Sequence, residues 1–348
     1  MKLKNLLVFC CAFFSPLRCD VALLLDWPCP NFSSEQVPDG DDPSNKTSWM
    51  AWLNKGLEKH GHRLIITDLS APGMQRLFDP SIVAVLFNNC TPIWGGQDMV
   101  SVLQALKAKK ILITWEPPTV LPTLHDRNFW KNFDAVLTWD ASRLESQQII
   151  QFSYPNLVPM QETMPSFSER RLLTQVSMNK MFLGPNELYS LRQKVNGYFD
   201  AHPECDFTFY GYGWDQSAHR AYGGPVEDKI GVLQKFRFSI CFENTKDASG
   251  YVTEKILDCF GAGCVPVYYG AKDIASYIPE GCYIRWERFG SIEPLYEYLK
   301  NMSEEEFLGY QGNIRKFLSS KEAKLFTNRA LAQKLLAVIA PKNAARKT

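Results

Sequence analysis

Between Phe236 and Gly270 the chain gathers chemistry into one stretch, FRFSICFENTKDASGYVTEKILDCFGAGCVPVYYG. The pattern predicts a strand, a polar loop, a helix, a tight Ala-Gly turn and a second strand. Gly250 is expected to open the helix, with Tyr251, Glu254, Lys255 and Asp258 in its first turns. Tyr251, Glu254 and Asp258 then share one face, at i, i+3 and i+7. A helix start carries free backbone N–H groups and is a natural seat for an anion. Thr253 and Glu254 add hydrogen-bonding groups there, and Lys255 adds a full charge suited to a diphosphate. A capping box with surface charges explains Glu254 alone. It does not explain why Asn244, Tyr251, Glu254 and Lys255 crowd one strand-to-helix junction.

Other candidates lie outside that stretch. Arg192, on a helical pattern beside Lys194, has a guanidinium that can grip a phosphate bidentately; a solvated helix face is the alternative. Glu116 follows an expected strand, and Pro117 keeps its backbone extended. Its carboxylate is a candidate to take a proton from a hydroxyl, or else it is a loop charge or half of an ion pair. Ser177, Asn179 and Lys180 also follow a strand and are weaker candidates for a phosphate region. Tyr212 and Trp214, beside Gly211 and Gly213, suggest an aromatic turn. His125 and His219 stand alone and read as ordinary packing or surface histidines. No GxxxxGK[ST], no GxGxxG after the first strand, no HExxH and no GxSxG occurs, which argues against P-loop, dinucleotide, zincin and α/β-hydrolase chemistry. Asp39-Gly40-Asp41 has the DxD spacing of some metal-diphosphate sites, but a loop Asp cluster is first of all a turn.

The elements that must position these residues alternate as short apolar runs and helical periods, the signature of parallel α/β units. Strands are expected at 21–26, 63–68, 82–87, 110–115 and 134–139, with helices near 48–60 and 97–109. The Pro-bearing stretch 154–171 reads as a linker. The alternation then restarts, with strands at 172–178, 206–210, 236–242 and 265–268, and helices near 187–199, 251–261, 303–318 and 321–339. The expected architecture is α/β, with two Rossmann-like domains facing across a cleft: an N-terminal domain over 20–154, a linker over 155–171 and a C-terminal domain over 172–340. Ligands of such sheets bind at the carboxyl ends of the strands.

The 348 residues are 45 % hydrophobic and 22 % charged, enough for a sizeable core, and they exclude wholesale disorder. Lys+Arg number 38 against 37 Asp+Glu, a net charge of +1, so no general footprint for nucleic acid exists and anion recognition must be local. Ten cysteines lack CxxC spacing, which argues against structural zinc. Cys241, Cys259 and Cys264 read as buried apolar groups, whereas Cys29, Cys90, Cys205 and Cys282 are candidates for pairing in an oxidising compartment. Lys2 and Lys4 before an apolar run make 1–19 a signal-like or anchor segment, shorter than the roughly 20 residues of a membrane span. It is the basis for an expected membrane association and a secretory or Golgi setting. N-x-S/T sequons begin at Asn31, Asn45, Asn89 and Asn301.

Read together, Glu243-Asn244-Thr245, Gly250 through Ile256, Asp258, Phe260 and Ala262 through Tyr268 with Gly270 resemble the signature of the α-1,3-fucosyltransferases, glycosyltransferase family 10. The likeness continues at Pro185 through Arg192, at Tyr210 through Trp214, and at Tyr222-Gly223-Gly224 with Asp228-Lys229, covering about 172–318. In the first half it is weaker, mainly Trp115-Glu116-Pro117-Pro118. The resemblance implies a GT-B-like fold, with an acceptor-binding first domain and a donor-binding second. It implies an inverting transfer of fucose from GDP-fucose to a glycan hydroxyl, of α-1,3/4 type on an N-acetylglucosamine-containing acceptor. By position, Asn244, Tyr251, Glu254 and Lys255 match donor-contacting residues, Arg192 the diphosphate arginine and Glu116 the catalytic base, with Glu254 a second catalytic carboxylate. Two basic side chains and a helix start can carry the diphosphate charge, so no metal ligands and no cofactor are expected, a divalent cation entering at most as a stimulator. A transferase for another nucleotide sugar and an inactive glycan- or nucleotide-binding module remain the alternatives.

Overall fold

A computed structural model describes residues 19–25, 48–144 and 146–340. Most of the signal-like segment, the Asp39-Gly40-Asp41 triplet, Cys29, and the sequons at Asn31 and Asn45 lie outside the described residues.

The first lobe runs β1 (Cys19–Leu25), α1 (Ser48–Glu58), β2 (His62–Asp68), α2 (Ala71–Arg76), β3 (Ile82–Asn88), β4 (Ile93–Trp94), β5 (Gln97–Asp98), α3 (Met99–Ala105), β6 (Lys109–Thr114), α4 (Arg127–Trp130), β7 (Ala135–Thr138) and β8 (Ile149–Gln151). Its sheet has the order β2-β1-β3-β6-β7-β8, every neighbouring pair parallel. The second lobe runs β9 (Arg171–Val176), α5 (Tyr189–Ala201), β10 (Phe207–Tyr210), α6 (Lys229–Leu233), β11 (Phe236–Phe242), α7 (Glu254–Gly261), β12 (Val265–Tyr269), β13 (Ile284–Arg285), α8 (Ile292–Lys300), α9 (Glu304–Leu318) and α10 (Asn328–Ile339). Its order is β10-β9-β11-β12-β13, again parallel. Both sheets are doubly wound in the same sense. The order reverses between β1 and β3 in one and between β9 and β11 in the other, and such a reversal opens a crevice at the carboxyl ends of the strands.

Parallel strands covered on both faces read as unbroken apolar runs. In β1, Val21, Leu23 and Leu25 feed the core under α1, while Ala22 and Leu24 feed a second core with Leu103, Phe129 and Trp130 on the other face. The second lobe has one core around Phe238, Phe260, Val267 and Phe307.

Some boundaries differ from the sequence reading. The helix expected over 97–109 shortens, because Gln97 and Asp98 pair with Ile93 and Trp94, and Asp98 caps α3 by accepting from Val100 N at 3.1 Å. The expected closing helix splits into the 3-10 turn Ala323–Phe326 and α10, capped by Thr327, whose hydroxyl accepts from Ala330 N at 3.2 Å. α10 was counted with the second half, yet Leu331, Ala332 and Leu335 pack into the first lobe's core with Trp49, Leu53 and Leu57 of α1. Lys109 Nζ ties it down by donating to Val338 O at 2.6 Å. Cys90, Cys205 and Cys282 are free thiols rather than disulfide partners. Among the described residues no helix is long and apolar enough to cross a membrane.

Candidate active site

A cavity of about 410 Å³ opens where the carboxyl ends of β9 and β11 meet the loop after β6. That volume suits a small-molecule ligand. The first lobe contributes Glu116 and Val120. The second contributes Gln175 to Met178, Lys180, Tyr189, Arg192, Gly211, Tyr212, Lys229, Asn244, Glu254 and Lys255, among others. Four cations (Lys180, Arg192, Lys229, Lys255) face two carboxylates (Glu116, Glu254), so the lining is net positive although the chain as a whole is nearly neutral. A net positive lining of this kind is a local setting suited to an anion.

The β11-to-α7 junction is organised by Glu243, whose side chain is fully buried. Its Oε1 accepts from Thr253 N at 2.8 Å, and its Oε2 accepts from the Thr253 hydroxyl at 2.7 Å and from Lys255 Nζ at 3.2 Å. These bonds place the start of α7 at Glu254, with Thr253 as its cap. Tyr251 therefore lies in the turn before the helix, where Val252 N donates to Gly250 O at 2.9 Å, and not on the helix as expected. Gly250 makes the preceding turn at φ +80°, with the carbonyl of Trp139 only 2.3 Å from where a Cβ would stand. Burial pulls the Lys255 ammonium down, but the carboxylates of Glu254 and Glu243 outweigh it and hold the pKa above its ordinary value.

Arg192 rises from the first turn of α5 and is buried. Its Nη2 donates to Phe242 O at 2.7 Å, Glu243 O at 2.6 Å and Asn244 Oδ1 at 3.1 Å. Its bonds among the described residues fall on that one nitrogen, and the Tyr189 ring lies 4.7 Å from the guanidinium. Burial lowers its pKa, opposed by Tyr189, Glu243 and Tyr251, but a guanidinium stays charged. Asn244 Nδ2 donates to the Tyr251 hydroxyl at 3.2 Å. Tyr251 itself is buried against Trp139 (4.7 Å between ring centroids) and Tyr154 (5.8 Å) and is not part of the cavity wall.

Glu116 is held from behind. Asn89 sits at φ +57° and its Oδ1 accepts from Trp115 N at 2.7 Å and Glu116 N at 3.3 Å. The sequon asparagine at 89 thus serves an internal role. Burial pushes the Glu116 carboxyl above the usual glutamate range; Lys255 pulls against this, Glu254 adds to it, and Lys180 and a hydrogen bond with Asn244 pull down. The arrangement is a half-buried carboxyl facing a pocket of cations.

The structure brings together Glu116, Arg192, Asn244, Glu254 and Lys255 on one cavity. Ser177 and Lys180 line it too, while Asn179 lies behind and donates to Gly213 O at 3.0 Å. Tyr212 lines it; Trp214 packs instead, donating to Ser177 O at 2.7 Å. Sequence reasoning missed Glu243 as the organiser of the junction. It gave no role to Lys229, which is paired with Asp258 at 2.6 Å, or to Tyr189. The one signal for Glu243 was its place beside Asn244 at a strand end.

Residues 190–329 match the family profile "Glycosyltransferase family 10 (fucosyltransferase) C-term". The chain is 31 % identical over 84 residues to the α-(1,3)-fucosyltransferase FucT of Helicobacter pylori, covering 24 % of this chain and 17 % of that protein. It is 33 % identical over 74 residues to an α-(1,4)-fucosyltransferase of Arabidopsis thaliana, covering 21 % and 18 %. It is 38 % identical over 89 residues to the 4-galactosyl-N-acetylglucosaminide 3-α-L-fucosyltransferase 9 of Mus musculus, covering 24 % of each. The matched stretches thus span less than a quarter of these relatives' lengths. An α1,3-fucosyltransferase solved with GDP-fucose superposes with a TM-score of 0.53 at 15 % identity, over 98 % of this chain and 94 % of that one. An α-glucosyltransferase solved with UDP and DNA gives 0.56 at 10 % identity, over 93 % and 99 %. At these identities the likeness speaks for the fold, which is GT-B. A profile match on the second lobe and a GT-B frame under both lobes converge: over residues 190–329 the chain is similar to glycosyltransferase family 10, the fucosyltransferase family.

Proposed function

We propose that the protein moves fucose from GDP-fucose to a hydroxyl of a glycan acceptor, with inversion at the anomeric carbon. The observation that carries this reading is Glu116 of the first lobe facing Arg192, Asn244, Glu254 and Lys255 of the second across one cavity. The acceptor hydroxyl attacks the anomeric carbon as the bond to the diphosphate breaks. Glu116 takes the hydroxyl proton, and burial, by raising its pKa, makes it a stronger base than an ordinary glutamate. Negative charge builds on the departing GDP, where Arg192, Lys255 and Lys180 offset it. Glu254 accepts hydrogen bonds from the sugar or steadies an oxocarbenium-like centre, as carboxylates do in glycoside hydrolysis. Because these cations offset the charge, the transfer requires no divalent cation. An N-acetylglucosamine-containing acceptor in α-1,3/4 linkage is supported by the printed names of the relatives and by the resemblance in sequence.

The test is transfer of labelled fucose from GDP-fucose to N-acetyllactosamine-type acceptors, with and without EDTA. Thermal shifts against a panel of nucleotide sugars accompany it, since a ligand stabilises the folded state by mass action. Transfer that survives EDTA, with a melting shift selective for GDP and GDP-fucose, supports the reading. A shift with another nucleotide sugar and none with GDP overturns it in favour of a different donor. GDP binding without turnover of any acceptor or water makes the chain a binding module.

A further inference from the structure

We propose that His125 is a positioning residue for Glu116, acting through the peptide that carries the carboxylate. The inference rests on the reading of Glu116 as the base. His125 ends the 3-10 turn Pro122–His125 and is buried. Its Nε2 lies 2.8 Å from the carbonyl oxygen of Glu116. A carbonyl only accepts, so Nε2 carries the hydrogen and Nδ1 is the bare nitrogen. Nδ1 is buried and has no partner among the described residues. A side chain there only to fill space is better apolar, because a buried nitrogen without a partner is disfavoured. The feature that an apolar residue could not supply is the bond to Glu116.

That bond completes a set. The N–H groups of Trp115 and Glu116 are both taken by Asn89 Oδ1. The carbonyl of Trp115 accepts from the Trp139 indole at 3.0 Å and from the Tyr154 hydroxyl. The carbonyl of Glu116 accepts from His125, and the next residue is Pro117, with no N–H to give. The peptide groups flanking the Glu116 Cα are thus fixed by side chains from β3's end, β7's end and the 122–125 turn. The imidazole is itself caged by Trp139 (5.7 Å) and Trp130 (6.1 Å), and the His125 carbonyl accepts from Arg143 Nη1 at 3.3 Å. Trp139 in turn packs on Tyr251 of the second lobe. The peptide under the base is therefore coupled to the donor-side loop by a continuous run of contacts.

The experiment uses the full chain and three substitutions. In His125→Gln the amide nitrogen stands where Nε2 stood. In His125→Asn it stands where Nδ1 stood, and His125→Phe fills the cage with no donor. Expected are a kcat for His125→Gln within about threefold of wild type, and a loss on the order of 10–100-fold for His125→Asn and His125→Phe, the scale of a misplaced catalytic group. GDP affinity and donor KM stay within about twofold throughout. Equal kcat losses in His125→Gln and His125→Phe at matched melting temperatures, or wild-type kcat in folded His125→Phe, overturn the proposal. An activity-independent arm follows the Glu116 carboxyl by ¹³C NMR titration, its signal assigned by absence in Glu116→Gln. Its midpoint moves in His125→Phe and holds in His125→Gln if His125 positions the group; an unmoved midpoint in His125→Phe refutes the idea. If wild type transfers nothing, the functional reading fails, and this arm still decides the role of His125.

Discussion

Asn244 is the residue on which both sides of the cavity converge. Its Oδ1 accepts from Arg192, its Nδ2 donates to Tyr251, and it helps pull the Glu116 pKa down against burial. At this scale the sharpest prediction concerns Glu116 itself. Glu116→Gln keeps the shape and removes the proposed base, so turnover is expected to fall by about 10²–10⁴-fold while GDP binding persists. Burial raises the wild-type pKa, so the carboxyl stays protonated to a higher pH than an ordinary glutamate. Transfer then declines as pH falls through that raised value, and the residual rate of Glu116→Gln lacks this acid limb. A pH–kcat profile of both proteins checks it. Residue types made Glu116, Arg192, Glu254 and Lys255 legible in the sequence, because each pairs a charge with a strand end or helix start. Glu243 was not legible as an organiser, because it acts on backbone and a cap that only the fold brings to it. His125 was hidden for the same reason, since its partner is a main-chain oxygen.

At the scale of elements, the start of α7 is set by tertiary bonds rather than by local propensity. The sequence placed the helix at Gly250; the buried Glu243 carboxylate instead captures Thr253 N and its hydroxyl, and the turn begins after them. Glu243→Ala leaves that N–H without its partner and takes one of the Lys255 ammonium's partners, leaving it Thr253 Oγ1 at 3.0 Å and Glu254 at 3.8 Å. It is expected to cost on the order of 3 kcal/mol, the scale for removing one member of a buried pair. Urea denaturation measures this, and GDP affinity is expected to drop with it because Lys255 loses one of the groups that hold it. The long strands were readable from apolar runs of four or more residues, and α9 from its helical period over 303–318; the Ser303–Glu306 capping box at its start is seen in the structure. The short strands β8 and β13 span three and two residues, too few for any period to emerge. They exist because a neighbouring strand offers an edge.

At the scale of the molecule, the two lobes are held by more than the linker. Thr119 Oγ1 donates to Thr245 Oγ1 at 2.9 Å, and Gln151 Nε2 donates to the Tyr277 hydroxyl at 2.9 Å. α10 then crosses back to lie on α1. Leu335 is fully buried there, and Leu335→Ala is expected to destabilise the protein by about 2–5 kcal/mol. A lowered melting temperature with GDP affinity intact checks the assignment of that contact to the first lobe. Alternating apolar runs made the two-sheet plan visible, but a helix's amphipathic stripe says nothing about which lobe receives it. The crossing also bears on the order of synthesis. Domains tend to fold as units as they leave the ribosome, yet the face of α1 that receives Leu331 and Leu335 waits uncovered until residues 328–339 have emerged. The lobe begun first is therefore the lobe finished last, and an interrupted nascent chain exposes an apolar seam on its opening half, whatever the state of its donor site.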